Sequence, residues 1–193
     1  MDEKEMSPQE SLDLIQSMIG KARKRYTDNS FFFLLWGWIT LVASLTHFYL
    51  ATYTDFNDPY LGWALTIPGG IISAIYGSRQ EKRSNVTNYT DKLYGWLWGS
   101  LGLAMFSIIF NGELLSWQVV PFIMLLAGVG TVVSGVMMGF KPLQFGSIAF
   151  WALSFVAFRQ PENYQMLMMA LAVAIGYLLP GYIMKQKAKS DAL

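Results

Sequence analysis

The most constraining feature of this sequence is a long run without a formally charged residue. Residues 31–54, FFFLLWGWITLVASLTHFYLATYT, contain no Asp, Glu, Lys or Arg, and the next charged residue is Asp55. An α-helix needs roughly 17–25 mostly apolar residues to cross the hydrocarbon core of a bilayer, which is about 30 Å thick. The run therefore predicts a membrane-spanning helix.

The rest of the chain has the same character. Of its 193 residues, 53% are hydrophobic and only 14% are charged, whereas soluble domains average about 25% charged residues. These polar groups are too few to cover the surface of a soluble domain. The length fits a single domain, so we predict an all-α membrane protein.

The hydropathy pattern predicts six transmembrane helices. Lys141 and Pro142 interrupt the apolar stretch 117–158 and divide it into two spans. The spans pair into three hairpins, 31–83, 93–141 and 142–188, within a transmembrane domain at 30–185 followed by a tail at 186–193. The predicted spans cover residues 31–53, 60–78, 94–112, 117–140, 143–158 and 164–184.

The distribution of basic residues predicts the orientation. All but one of the 14 Lys and Arg residues fall in the N-terminal segment, the 79–93 loop, the turn at 141 or the C-terminal tail. Only Arg159 falls on the other side. Since basic residues concentrate in cytoplasmic loops, we expect both termini of this multi-pass protein in the cytoplasm.

Aromatic residues cluster at both ends of the predicted spans. Such clusters are typical of the belts in which amphipathic rings settle at the depth of the lipid headgroups. A stacking site for a ligand is the less favoured interpretation. The cytoplasmic cluster comprises Trp36, Trp38, Tyr94, Trp96 and Trp98, and the outer cluster Tyr53, Tyr60, Trp63, Trp117 and Tyr164.

Residues 1–29 predict a cytoplasmic amphipathic helix before the first span. Ser7 and Glu10 have the spacing of a capping box, and Asp28 or Asn29 is expected to cap the first span. A basic cluster near its end would lie beside the anionic cytoplasmic leaflet, with each residue contributing about 1 kcal/mol. The helix either lies at the membrane surface and orients the first span or docks a cytoplasmic partner. The basic cluster comprises Lys21, Arg23, Lys24 and Arg25.

Each predicted returning helix contains one proline, a residue that can bend a membrane helix. Pro68, Pro121 and Pro180 are the candidate kinks, and their placement hints at an internal repeat of three hairpins. Small residues recur at four-residue spacing, as in Gly95 and Gly99. Such faces let helices pack closely in a compact bundle or a homodimer, and a substrate pathway is the alternative.

Few residues offer chemistry. The chain has no cysteine and one histidine, His47, which excludes disulfides, Cys-ligated metals and paired-His motifs. Ionisable residues are missing from the middles of the predicted spans, so we predict no cofactor and no metal. One polar group at the outer ends of the spans, together with Asp55 and Asp58, would form a shallow pocket for a cation or a polar headgroup. The alternative is ordinary solvated loop charge. The group comprises His47, Asn111, Glu113, Arg159 and Glu162.

Several segments give the chain a resemblance to known proteins. It resembles small, uncharacterised bacterial integral membrane proteins with six helices. The resemblance implies a location in the bacterial inner membrane and supplies no activity or functional residue. The segments are ESLDLIQSMIGKARKRY, LLWGW, GGIISAIYGSRQEKR, GVGTVVSG and LLPGYIMKQKAK.

Three functional hypotheses follow. The first is a non-enzymatic partner, regulatory protein or subunit in the membrane. The second is a small permease or permease subunit, with freed carbonyls at Pro68, Gly69 and Gly70. The third is an enzyme that uses the outer polar group. The expected partners are the anionic cytoplasmic leaflet and a cytoplasmic protein or a second copy of the chain, and not nucleic acid.

Overall fold

A computed structural model of the chain describes the backbone of residues 8–83 and 89–190 and the side chains of residues 9, 29–80 and 92–190. Within these ranges the chain is helical and has no strand. The elements are α1 (Pro8–Tyr53), a 3₁₀ helix (Pro59–Leu65), α2 (Thr66–Arg83), α3 (Tyr89–Phe110), α4 (Val119–Met137), α5 (Lys141–Ala157), α6 (Glu162–Val173), a π-helical turn (Ala174–Leu178) and α7 (Leu179–Ser190).

Four helical segments are long and apolar enough to cross a membrane: Asn29–Tyr53, Lys92–Phe110, Val119–Met137 and Glu162–Ser190. They correspond to the first, third, fourth and sixth predicted spans. The second and fifth form shorter helices. The last turn of α2 is charged, with Arg79, Glu81, Lys82 and Arg83 in sequence, and α5 has 17 residues, which reach about 26 Å.

Helix α1 is continuous over 46 residues. The expected cap at Asp28 or Asn29 does not form, because the helix passes through both positions. Between Pro8 and Pro59 the sequence has no proline to end it. The predicted amphipathic segment from Pro8 onward and the first span are therefore one helix. Ser7 and the side chains of the basic cluster lie outside the described residues.

The core of the bundle lies among α1, α4, α5, α6 and the π turn. Glycines bring these elements close together. A Cβ on Gly146 would lie 3.1 Å from the Gly176 Cα atom, so α5 and the π turn pack backbone against backbone. The Tyr177 ring fills the adjoining space, with its centroid 4.8 Å from that of Phe150 and 5.6 Å from that of Phe33.

The three candidate kink prolines occupy different environments. Pro121 is the third residue of α4, where a missing N–H disrupts little. Pro68 is the third residue of α2, but α2 continues directly from the 3₁₀ helix, so Pro68 lies just after the change from 3₁₀ to α geometry. Pro180 lies inside the helical segment Glu162–Ser190, two residues after the π turn ends at Leu178. Because proline lacks the N–H that would bond to the Gly176 carbonyl, the local pattern shifts, and Leu179 N–H donates to Ala174 O five residues earlier.

The helix pairs α1–α2 and α3–α4 are each joined by a hydrogen bond of the same kind, from a tryptophan to a serine. Trp36 Nε1 donates to Ser73 Oγ at 3.1 Å, between α1 and α2. Trp98 Nε1 donates to Ser134 Oγ at 3.1 Å, between α3 and α4. The two bonds join residues 37 and 36 positions apart, and a glycine follows each tryptophan. Equivalent contacts therefore hold the two pairs.

We expect Gly176→Ala to destabilise the protein by about 1–3 kcal/mol, since overpacking a tight core has costs of this size. The new methyl group would overlap the Phe150 ring and lie 3.0 Å from Gly146 O. The matched control is Gly77→Ala, because a Cβ there has no heavy atom within 4 Å. Thermal unfolding in detergent should show a lower midpoint for Gly176→Ala only. Equal midpoints would contradict the described packing.

Candidate functional site

An open cavity of about 240 Å³, lined by both polar and apolar atoms, lies where the end of α1, the 3₁₀ helix and the start of α6 meet. We call it the His47 pocket. Its position follows from the way α1 ends: Thr54 Oγ1 donates to Leu50 O at 2.7 Å, and the turn then leads to Pro59. The pocket is lined by His47, Ala51, Pro59, Tyr60, Glu162 and Asn163.

The 3₁₀ helix packs closely on α1 beside this pocket. A Cβ on Gly62 would lie 3.1 Å from both Ala43 O and the Thr46 Cβ atom, so only glycine fits without a shift of these neighbours. This approach places the Trp63 side chain against His47. A shift of the 3₁₀ helix would therefore move Trp63 and alter its contact with His47.

His47 is held in one tautomer. Its side chain is only 2% exposed, and Nδ1 accepts a hydrogen bond of 3.2 Å from Trp63 Nε1. An indole N–H can only donate, so Nδ1 supplies the lone pair and the imidazole proton is on Nε2. Among the described residues this is the only hydrogen bond of His47. The Nε2–H group is therefore available to a ligand.

Glu162 and Tyr60 form the opposite side. The Tyr60 hydroxyl donates to Glu162 Oε1 at 3.0 Å, and the Tyr60 ring lies edge-on to His47 with centroids 4.7 Å apart. Glu162 is the first residue of α6, where the helix dipole favours a negative charge. The phenol hydroxyl of Tyr60 therefore serves as a donor to the carboxylate.

Asn163 ties the start of α6 to the end of α1. Its Nδ2 donates to Thr52 Oγ1 at 3.2 Å, and its Oδ1 accepts the Tyr164 N–H at 3.1 Å. The bond to Thr52 holds the start of α6, which carries Glu162, against the end of α1. The spacing between the carboxylate and the imidazole is thus set by α1 and α6 together.

The structure places the predicted outer polar residues in two groups. His47 and Glu162 share the pocket. Asn111 donates to Ser107 O at 2.8 Å, and Arg159 donates to Phe155 O at 2.9 Å, so both bond to their own helices. Glu113 lies exposed in the turn between α3 and α4. The exposed Asp55 and Asp58 lie in the loop after α1 and do not line the pocket.

Three residues that line or adjoin the pocket were absent from the predicted polar group: Tyr60, Trp63 and Asn163. The sequence signalled the first two only as aromatic residues at the outer ends of spans. Nothing in their spacing shows that Trp63 bonds to His47. For Asn163, its position next to Glu162 at a helix start was the only available signal.

The pocket offers hydrogen-bonding groups of both kinds, a donor and acceptors. The described residues contain no group of three or more His, Cys, Asp or Glu side chains that would hold a metal ion. The basic nitrogen of His47 already accepts the Trp63 N–H, so the imidazole is a donor toward the pocket. A fixed N–H and a carboxylate thus line the same small cavity.

A second cavity of about 700 Å³ lies between α3 and α4 and is almost wholly apolar. Trp96, which lines it, is 79% exposed. In a bilayer such a groove would be filled by acyl chains or by an apolar helix. Its lining residues are Leu93, Trp96, Leu97, Ser100, Val133 and Met137.

An all-helical fold with four apolar helices of membrane-spanning length indicates a membrane protein. Comparison with protein-family models, curated proteins and solved structures finds no match to this chain.

A double-mutant cycle tests the Tyr60–Glu162 hydrogen bond. We expect Tyr60→Phe and Glu162→Ala to show a coupling of about 0.5–1.5 kcal/mol in unfolding free energy, the usual worth of such a bond. The value should be near the lower limit, because both side chains are exposed. Reversible unfolding in mixed micelles supplies the four free energies. The control cycle pairs Tyr60→Phe with Glu113→Ala and should show no coupling. Equal coupling in both cycles would contradict the described bond.

Proposed function

We propose that this chain is a six-span bacterial inner-membrane protein with both termini in the cytoplasm. We further propose that it acts without catalysis, as a subunit or regulatory partner of a membrane assembly. Support comes from helix lengths, charge distribution and two helix faces that the described residues leave open.

Helix geometry supports the two shorter spans. The 3₁₀ helix runs directly into α2, and the apolar stretch 60–78 reaches about 31 Å at 2.0 Å per 3₁₀ residue and 1.5 Å per α residue. Helix α5 reaches about 26 Å, a mismatch of a few ångströms that local bilayer thinning would accommodate. The matching Trp–Ser hydrogen bonds support hairpins α1–α2 and α3–α4, and a short turn joins α5 to α6.

The orientation rests on charge. Basic residues lie near the end of α2, near the start of α3 and in α7, among them Arg79, Lys92, Lys185 and Lys187. The loops at the opposite ends carry Asp55, Asp58 and Glu113. Because basic segments stay in the cytoplasm, the His47 pocket would face outward, at the depth of the outer headgroups.

The observation that carries the assembly role is the pair of open small-residue faces on α2 and α3. Among the described residues, no heavy atom lies within 4 Å of a Cβ built on any of the glycines in these faces. In α4, by contrast, Cβ atoms on Gly128, Gly130 and Gly135 would collide with neighbouring side chains. The glycines of the open faces are Gly70, Gly77, Gly95, Gly99 and Gly102.

Open small-residue faces favour a partner helix. In a bilayer, helices associate through close packing, and small residues are enriched where they do so. Helix α3 packs mainly on α4, and α2 packs mainly on α1 and the 3₁₀ helix. Each therefore has room for a further helix, which a second copy or another subunit would supply.

Single-cysteine labelling tests the topology, and the chain is suited to it because it has no native cysteine. Cysteines at Asn57 and Glu113 should react with a membrane-impermeant maleimide in intact cells. Cysteines at Asp2 and Asn85 should react only after the membrane is permeabilised. Labelling at Asn85 in intact cells would overturn the proposed orientation.

Bulk added to the open face tests the assembly role. We expect Gly99→Ile to remove copurifying partners, or convert a homodimer to a monomer, without lowering thermal stability. The measurement is purification in mild detergent at native expression level, followed by mass spectrometry and sizing. The control Ala152→Ile adds similar bulk at an exposed position of α5 and should retain the assembly. A wild-type protein that purifies alone as a monomer would contradict the proposal.

A further inference from the structure

We infer that the His47 pocket binds an aminoethyl phosphate group, with its ammonium on Glu162 and a phosphate oxygen on His47 Nε2–H. This inference goes beyond the proposed assembly role and does not depend on it. The ligand chemistry is that of a phosphoethanolamine, either as the headgroup of a lipid or as a free molecule.

The donor side of the pocket selects an acceptor. The Trp63 bond fixes the imidazole proton on Nε2, and His47 is buried apart from its approach to the cavity. Among the described residues, Nε2 is not one of the fully buried polar atoms that lack a partner, so it retains access to the cavity, where a bound acceptor can replace water. An anionic oxygen, as in phosphate, gives the stronger charge-assisted bond.

The acceptor side selects a cation that carries N–H groups. Glu162 Oε1 already accepts the Tyr60 hydroxyl, and no described residue bonds to its other oxygen. That oxygen and the Tyr60 oxygen lone pairs are available to a primary ammonium, which has three donors. A trimethylammonium group has none and usually requires an aromatic cage. A metal ion is disfavoured because the pocket holds only one carboxylate and one imidazole.

Size and depth fit a headgroup. The cavity of about 240 Å³ is smaller than the roughly 300–1,000 Å³ of pockets for drug-sized ligands. His47 lies six residues before the end of α1 at Tyr53, or about 9 Å along the helix axis. This places the pocket at the interface between hydrocarbon and water, where Tyr53, Tyr60 and Tyr164 also lie.

Calorimetric titration of the full-length protein in detergent micelles tests the inference with three probes. These are dihexanoyl-phosphatidylethanolamine, dihexanoyl-phosphatidylcholine and O-phosphoethanolamine. We expect saturable binding of the short-chain phosphatidylethanolamine and at least about tenfold weaker binding of the phosphatidylcholine, given the worth of a charge-assisted bond. Glu162→Gln should weaken the tight binding about tenfold or more, and Tyr60→Phe by less.

Glu113→Gln is the matched control, since it removes an exposed carboxylate outside the pocket, and it should bind like the wild type. His47 is buried, so its replacement risks misfolding. Trp63→Phe, which retains the imidazole and frees its tautomer, is used in its place, with its melting temperature measured in parallel. A few-fold weaker affinity at an unchanged melting temperature would support the role of the fixed proton.

The outcomes are distinguishable. Similar binding of O-phosphoethanolamine and the ethanolamine lipid assigns the site to the free headgroup compound. Binding of the lipid alone assigns it to a lipid headgroup. Equal affinity for the choline and ethanolamine lipids, unchanged affinity in Glu162→Gln, or no binding of any probe overturns the inference. None of these results bears on whether Gly99→Ile disrupts an assembly.

Discussion

The bundle depends on one close approach, that of Gly146 in α5 to Gly176 in the π turn. Lipid tails are as apolar as leucine, so burial from water does not drive helices together within a bilayer and close packing must do so. Two glycines at one crossing allow the backbones to touch. The aromatic rings of Phe33, Phe150 and Tyr177 then pack beside this contact and join α1 to α5 and the π turn.

The π turn accommodates Pro180 within the helical segment that runs from Glu162 to Ser190. Removal of one N–H donor would leave a carbonyl without a partner in a medium that offers no water. The hydrogen bond from Leu179 N–H to Ala174 O, five residues earlier, re-pairs the backbone around the missing donor, and Gly176 and Tyr177 lie buried within this turn. Pro121, the third residue of α4, requires no such adjustment.

The sequence predicted the parts of the fold that follow from local composition. Charge-free runs predicted the four helices that are long and apolar enough to span, and the basic end of α2 explains why its own span is less clear. The continuity of α1 was not predictable from Asp28 and Asn29, because both residues are common helix caps and also occur within helices. Pro180 lies inside a long helical segment, whereas Pro121 lies near the start of α4. Hydropathy did not distinguish the two prolines, because it locates helix starts poorly.

The sequence identified two of the polar residues of the candidate site, but it did not show which residues come together in the fold. His47 and Glu162 were both identified as polar residues at the ends of spans, yet 115 positions separate them along the chain. Their convergence depends on the packing of α1 against α6. The role of Trp63 depends on a glycine, Gly62, that permits the 3₁₀ helix to approach α1. Such tertiary contacts leave no periodic signal in the sequence.

One wall of the pocket and the open face of α2 belong to one continuous helical segment. Tyr60 and Trp63 lie on the 3₁₀ helix, which passes into α2 at Thr66, and Thr66 Oγ1 donates to Trp63 O at 2.6 Å across this junction. Gly70 and Gly77 follow on the same segment. A helix that packs on α2 and a ligand that bonds to Glu162 would therefore act on the same structural element. Two ligands couple energetically when both bias one element, and here that element carries the residues that fix the His47 proton and orient the carboxylate.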